Sequence, residues 1–517
     1  MACYLQGNKI DLLLLVVYIA NLIPRGETRS DEEFYNDLFP QEKKGEIFMF
    51  FDEMQKFGET IMLTDGKGET FTYTEAEQYA QRLKPHLAKR SVVLCLCKNT
   101  VGSIAGYLAF LRLRVVPLLL DEKIDVLFLK QLVQTYQPEY LYVPADRREE
   151  FSDAAVVSEE YGYCLLKTAC ASEQPMYEEL ALLLTTSGST GSPKLVRQSY
   201  RNLESNAQSI VEYLEIDERQ RAITVLPMNY TYGLSVINSH VKAGATIVLT
   251  QESIVSPEFW ELMRQERVTS FVGVPFIYET LKKLRFFQME LPDLQYMTQA
   301  GGKLSYELQK EFTEYAIRTG KKFIVMYGQT EATARMSYLP FEKAQEKCGS
   351  MGIAIPGGRF SLIDVDGKEI TTVNVVGELV YEGENVTPGY ALCRADLTKG
   401  DERNGRLVTG DMAKRDEEGY YYIVGRKKRF LKLMGNRVNL DEVEQILKAK
   451  FPQVDIAAAG QDEHLVVYVT SREVLPDMET YLQEKTHLNS HTSEIRYIDK
   501  IPRNESGKIL YKKLETE

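Results

Sequence analysis

The chain lacks several features that mark large protein classes. It has no basic surplus: 62 Lys and Arg stand against 74 Asp and Glu in 517 residues, a formal net charge of −12. A general nucleic-acid binder needs a positive face, so no nucleic-acid partner is expected. It has no disulfide framework. The seven cysteines, at positions 3, 95, 97, 164, 170, 348 and 393, are odd in number and follow no bridge or ligand spacing. Such a set suits a reducing compartment and predicts a cytoplasmic protein. Cys95 and Cys97 alternate on a strand-like run and should share one buried face.

Long apolar runs are missing too. Leu12 to Ala20 is only nine residues, whereas a helix across a bilayer needs about 20. Asp11 abuts that run and no small-residue cleavage site follows, which argues against a signal peptide. Residues 1–45 read as an extension whose role stays open between a packing segment, a peripheral membrane contact and a misplaced start. The five histidines do not gather into a metal site. His487 and His491 are four apart without the carboxylate of a zinc-protease motif, so they read as surface. No repeat or low-complexity tract is present, and 44% hydrophobic with 26% charged residues is ordinary globular composition.

What is present is concentrated in one loop. The run Thr185-Thr186-Ser187-Gly188-Ser189-Thr190-Gly191-Ser192-Pro193-Lys194 follows the apolar stretch Leu180 to Leu184. Hydroxyls, glycines and an ammonium in one small volume suit a polyphosphate, because glycine lets the backbone close around an anion. The spacing differs from the common nucleotide loop, whose lysine follows a glycine directly. After it, Leu203, Ala207, Ile210, Val211 and Leu214 form one helical face. Strand, phosphate loop and helix thus read as a βα unit.

From about Ile47 to the C-terminus the sequence resembles the adenylate-forming ligase superfamily: acyl- and aryl-CoA synthetases, luciferases and peptide-synthetase adenylation domains. The resemblance rests on four motifs in order. These are the Thr185–Lys194 loop; Tyr327-Gly328-Gln329-Thr330-Glu331-Ala332; Arg406-Leu407-Val408-Thr409-Gly410-Asp411 with Gly425-Arg426; and Ile501-Pro502-Arg503-Asn504-Glu505-Ser506-Gly507-Lys508.

The fold class that follows is α/β. A large N-terminal domain of α/β subdomains carries a small β subdomain, and a mobile α+β domain ends the chain. The expected divisions are the extension 1–45, an adenylation core 46–425 with its β subdomain about 349–425, a hinge 426–428 and a C-terminal lid 429–517. Strand-like runs at Ser91–Cys97, Ala222–Leu226, Ala245–Thr250, Ser270–Val274 and Lys322–Met326 alternate with helical stretches. Ligands in such sheets sit beyond the carboxyl ends of strands, where both the phosphate loop and the Tyr327 motif would lie. In the C-terminal part Asn439 can cap a helix with Glu442, ahead of Val443, Ile446 and Leu447 on one face.

The resemblance implies a role for each matching residue. Thr186, Ser187, Gly188, Ser189, Thr190, Gly191 and Lys194 would cradle the phosphates of ATP. Gly301, Gly302, Gly328 and Gln329 would line the nucleotide site, with Tyr327 stacked on adenine, Thr330 donating to the α-phosphate and Glu331 holding Mg²⁺. Asp411 and Arg426 would meet the ribose. Lys508 would bridge the acyl carboxylate and the α-phosphate, offsetting their repulsion in a water-poor site. Lys428 would be the pivot for a second step, Gly435 would let a pantetheine arm pass, and Lys432 would assist thioester formation.

The segment Leu226 to Gly233 resembles the family's pocket motif, with Tyr230 where many acyl-CoA synthetases have histidine. Tyr230, Tyr232, Ser235, Val274, Pro275, Phe276, Ala300 and Gly301 would form an apolar, aromatic wall suited to a fatty or aryl acid. No aspartate stands near Thr231 to pair an amine, which disfavours α-amino acids. The expected activity is ATP-dependent activation of a carboxylic acid to an acyl-adenylate with pyrophosphate release, then thioester formation with CoA. Transfer to the phosphopantetheine of an acyl carrier protein is the alternative. A catalytically weak scaffold is a further one, supported only by Tyr230. A conventional phosphotransferase is excluded because no P-loop or kinase signature is present.

Overall fold

A computed structural model describes residues 49–170, 175–185, 194–433, 436–486, 492–503 and 509–514, with Lys428, Phe430, Lys432, Asn436, Arg437 and Lys512 among those described by their backbone only. Two mixed sheets carry most of it. In a nine-stranded sheet, Ile61–Thr64, Thr246–Val248, Arg221–Ile223, Ser270–Gly273, Tyr296–Gln299 and Lys322–Tyr327 run parallel, side by side in that order. In an eight-stranded sheet the parallel centre is Leu180–Thr185, Val116–Asp121, Val92–Cys97 and Tyr140–Pro144. Antiparallel strands finish the edges of both.

Two helices lie between the sheets and show it in their sequences. Every residue from Val101 to Leu111 in the helix Val101–Arg112 is buried, as is every residue from Tyr232 to Val241 in Thr231–Ala243. A helix covered on all sides has no solvent face to keep polar. Tyr107 Oη donates to Asn238 Oδ1 at 3.0 Å, satisfying the polar groups where the two helices meet. The surrounding core takes Met62 and Leu63 from one sheet and Val93, Cys95 and Cys97 from the other. Cys95 and Cys97 therefore do share a buried face.

The βα reading of the phosphate loop needs correction. A strand, Leu195–Ser199, stands between the loop and the helix Tyr200–Leu214, pairing antiparallel with Leu180–Thr185. The loop thus joins two strands of a hairpin. All five strand residues are buried, and so short a run offers no alternation to reveal it. The helix begins where expected for its apolar face, with Ser199 and Asn202 closing a capping box. The strand expected over Ala222–Leu226 also ends early, at Ile223. Asn99 Nδ2 reaches the Thr224 and Leu226 carbonyls, at 3.4 and 3.1 Å, and draws that segment off the ladder.

Beyond the large sheets, Arg359–Ile363, Gly377–Glu382, Arg406–Arg415 and Tyr421–Arg426 form a four-stranded antiparallel sheet. The smaller C-terminal domain follows, with a hairpin Phe430–Leu433 and Asn436–Asn439, the helix Leu440–Lys450 and a three-stranded sheet. Asn439 caps that helix through the Asp441 amide at 3.0 Å, but no reciprocal bond from Glu442 closes the box. Its Nδ2 instead donates to Val424 O at 3.0 Å, tying the helix start to the strand before it. No described helix is long and apolar enough to cross a membrane.

Candidate active site

The strand Lys322–Tyr327 ends the parallel run and delivers Tyr327, Gly328 and Gln329 to its carboxyl end. Gly328 is required by packing: a Cβ there would fall 1.7 Å from Ala334 O. Tyr327 Oη donates to Asp411 Oδ2 at 2.5 Å, and Gln329 Nε2 donates to the same oxygen at 2.8 Å. Gln329 Nε2 also reaches Thr409 O at 3.0 Å. Asp411 is buried, and Arg426, its register partner on the next strand, places Nε 3.6 Å from Oδ1. Burial first, and then the Asp411 charge, push the Tyr327 hydroxyl well above its usual range. The result is a buried carboxylate with one oxygen held by two donors and the other facing a half-exposed guanidinium.

A second cluster adjoins it through the short turn Thr330–Ala332. Tyr390 Oη donates to Glu331 Oε1 at 2.8 Å, and Lys194 Nζ lies 3.4 Å from the centre of the Tyr390 ring. Burial and the neighbouring Glu331 raise the Tyr390 hydroxyl to about 12. Arg403 Nη1 donates to Glu331 O at 3.1 Å and to Thr387 Oγ1 at 2.6 Å, and its guanidinium lies 4.7 Å from the same ring. Beneath them Arg197 is fully buried, paired with Glu402 at 2.5 Å and bonded to the Tyr390 carbonyl at 3.1 Å. An open cleft of about 410 Å³ beside these groups is lined by Lys194, Tyr390, Lys399 and Arg403 among others.

This arrangement could hold a polyphosphate, with Lys194 and Arg403 beside its oxygens. Glu331 could hold a divalent cation: among the described residues Oε2 accepts no hydrogen bond, which leaves a hard oxygen donor for Mg²⁺. No group of three or more metal-binding side chains occurs among the described residues.

The expected acyl wall is only partly a wall. Tyr230 packs over Gly301, where a Cβ would lie 2.6 Å from Tyr230 Oη and 3.0 Å from Val274 Cγ1. Burial raises the Tyr230 hydroxyl to about 12. Gly301 takes φ +83°, and Gly302 faces Pro275. Val274 and Ala300 are buried beside them. Tyr232 departs from expectation: it is core, with its hydroxyl 2.8 Å from Thr298 Oγ1. Phe276 also departs, standing 48% exposed at the start of a helix whose buried residues are Tyr278 and Leu281. Ser235 is buried and accepts from Arg335 Nε at 3.1 Å, so the region is not purely apolar.

Sequence reading missed Arg335, Tyr390 and Arg403. Arg335 lies four positions after Glu331, beyond the end of the quoted motif, and nothing local shows its side chain turning inward. Tyr390 and Arg403 reach Glu331 only through the tertiary fold. Thr186, Ser187, Gly188, Ser189, Thr190, Gly191, Gly435 and Lys508 lie outside the described residues, as do His487 and His491. On either side of the Lys508 segment, Arg503 and Ile509 pair as an antiparallel bridge.

Comparison with known proteins places the chain among nucleotide-dependent ligases. The AMP-binding enzyme family profile matches residues 50–391, more than half of the sequence. The protein belongs to the AMP-binding enzyme family. It is similar to the 2-succinylbenzoate–CoA ligase of Listeria monocytogenes, 25% identical over 469 residues, covering 88% of this chain and 96% of that one. It is also similar to the indoleacetate–CoA ligase of Aromatoleum aromaticum, 28% identical over 347 residues, with 63% and 65% covered. Among solved structures, o-succinylbenzoate CoA synthetase of Bacillus subtilis, in complex with its acyl-adenylate intermediate, shares the fold. Its TM-score is 0.73 at 23% identity, covering 90% of this chain and 97% of that one. The match runs through the C-terminal domain, which the family profile does not reach.

Proposed function

We propose that the protein is an AMP-forming acid–CoA ligase. The observation that carries this reading is a pair of contact clusters, Lys194–Tyr390–Glu331 and Gln329–Asp411–Arg426, joined by the short turn Thr330–Ala332. Residues from five separate stretches gather near the carboxyl end of the strand Lys322–Tyr327, where the resemblance puts ATP.

In this reading Asp411 and Arg426 bind the ribose, Tyr327 faces adenine, and Lys194 with the 186–191 loop holds the phosphates. Thr330 donates to the α-phosphate. Mg²⁺ held by Glu331 would screen the phosphate charge when bound. A carboxylate oxygen of the acid attacks the α-phosphorus, the bond to the bridging oxygen of the β-phosphate breaks, and pyrophosphate leaves. Lys508 lowers the repulsion between the two anions. A thiol then attacks the acyl carbon, its proton is lost, and AMP departs with the bonding electrons. Turning at Lys428 would bring Lys432 and Gly435 to the site for that step.

The relatives above are named for aromatic acids, so an aryl acid is favoured over a fatty one. They are named as CoA ligases, which favours CoA over a carrier protein. The test is product analysis with ATP, Mg²⁺, a panel of aryl acids and either CoA or a carrier protein bearing phosphopantetheine. AMP, pyrophosphate and an acyl-CoA are expected. Formation of ADP would overturn the reading, and thioester only on the carrier would replace CoA as acceptor.

A further inference from the structure

Among the described residues, the strongly buried arginine side chains have acidic partners, with one exception. Arg197 is paired with Glu402 at 2.5 Å, Arg394 with Glu139 at 2.6 Å, and Arg429 with Asp441 and Glu444 at 2.5 and 2.7 Å. Arg335 is 3% exposed and makes no ion pair among the described residues. Its Nε donates to Ser235 Oγ at 3.1 Å, and its Nη1 contacts Tyr213 Oη at 3.1 Å and Met326 Sδ at 3.3 Å. Nη2 makes no hydrogen bond among the described residues. The Tyr232 ring lies 5.1 Å from the guanidinium. His240, nearby, is held neutral, its pKa lowered to about 4 chiefly by burial.

An uncompensated buried cation is costly, and tyrosine hydroxyls, a thioether and a ring face offset only part of that cost. The position matters as much as the charge. Arg335 lies three positions past the Thr330–Ala332 turn, and its Ser235 partner lies on the helix that Tyr230 caps. Ser235 and Ala334 line a small, partly open cavity of about 10 Å³, shared with Thr231, Thr333 and Gln198 and with the apolar Leu203, Ile210 and Leu234. That volume fits about one water. Gln198 Oε1 is buried there without a partner. The cation and this small cavity, which share Ser235, thus sit beside Tyr232 and the helix that carries part of the expected acyl wall.

We infer that Arg335 is a specificity-determining residue that pairs with a second anionic group, a carboxylate or sulfonate, carried by the acid. A guanidinium presents two parallel donors to such a group, a geometry that lysine cannot copy. The inference rests on the acid-activating reading above. It narrows the substrate class to acids with one reacting carboxylate and one retained anion.

The test compares terephthalate, 4-carboxyphenylacetate and adipate, each beside its monomethyl ester, as drivers of pyrophosphate release. The wild type, Arg335→Gln and Arg335→Lys are assayed together, with thermal melting to confirm folding. The wild type should prefer at least one diacid over its ester by about 100-fold in kcat/KM, since a site built to pair a polar group rejects analogues that lack it. Arg335→Gln should abolish that preference through KM and leave ester turnover within about threefold. Should Arg335→Gln fail to fold, Arg335→Lys decides: a diacid KM raised about tenfold, with the ester unaffected, supports the inference. Esters used as well as diacids by the wild type would overturn it, as would an Arg335 variant that lowers both members of a pair equally. No release with any acid would instead bring down the acid-activating reading, and this inference with it.

Discussion

Tyr327 Oη lies 2.5 Å from Asp411 Oδ2, so the end of the last parallel strand is tied to the four-stranded sheet across 84 positions of sequence. The bond fixes the carboxylate that the ribose would meet, and Gln329 doubles it on the same oxygen. Removing the charge should therefore cost nucleotide affinity. A hydrogen bond to a charged group contributes about 1.5–3 kcal/mol. Asp411→Asn should raise KM for ATP by about tenfold or more. Tyr327→Phe, which leaves Gln329 in place, should raise it less. Steady-state kinetics checks both, and an unchanged KM in Asp411→Asn would remove Asp411 from the nucleotide site.

Arg197 and Glu402 make a different kind of pair. The guanidinium is fully buried, but the glutamate side chain is 50% exposed, so solvent screens part of the attraction. Arg197 also keeps its bonds to the Tyr390 and Pro388 carbonyls. Glu402→Ala should lower stability by about 1–3 kcal/mol, the cost of leaving a buried cation without its counter-ion after that screening. Urea denaturation measures it, and no loss would show that the carbonyls alone satisfy Arg197.

His240 carries a pH dependence whose sign is settled by its environment. Burial lowers its pKa from 6.5 to about 4, opposed by its bond to the Val236 carbonyl and helped to a lesser degree by the nearby Arg335 charge. Tyr296 Oη and Ser239 Oγ are its other polar neighbours, at 3.5 and 3.4 Å. Below pH 6.5 the unfolded chain takes up a proton that the folded chain refuses until about pH 4. Its contribution is therefore complete above pH 6.5 and is lost as pH falls toward 4, by about 3 kcal/mol at most. His240→Gln should flatten that part of the stability profile. An unaltered slope would mean that other groups set it.

Lys428 stands at the junction of the four-stranded sheet and the C-terminal domain. Proline there would restrict the backbone at the expected pivot. Lys428→Pro should stop thioester formation while leaving pyrophosphate release within about threefold. Equal loss of both steps would locate the hinge elsewhere.

Much of this was legible in the sequence where motifs are contiguous or apolar runs are long. The α/β class, the strand Leu180–Thr185, the strand ending at Tyr327 and the buried Cys95–Cys97 face all follow from local pattern. The hairpin strand Leu195–Ser199 did not, because five buried residues with Arg197 and Gln198 among them carry no strand period. The acyl wall was read as apolar because its aromatic residues sit in a motif. Arg335 escaped notice because burial of a charged side chain is decided by Ser235, Tyr213 and Met326, which lie far from it in sequence or face. Tyr390 and Arg403 were hidden for the same reason: a lone tyrosine and arginine acquire meaning only beside Glu331.

The central claim is that this chain activates a carboxylic acid by adenylation. The most direct measurement is acid-dependent pyrophosphate release from ATP and Mg²⁺, with the wild type beside Lys508→Ala. Release that depends on the acid, and that falls by about 100-fold or more in the variant while ATP still binds, is the predicted result. Release that ignores the acid, or that survives the loss of Lys508 unchanged, would contradict the account.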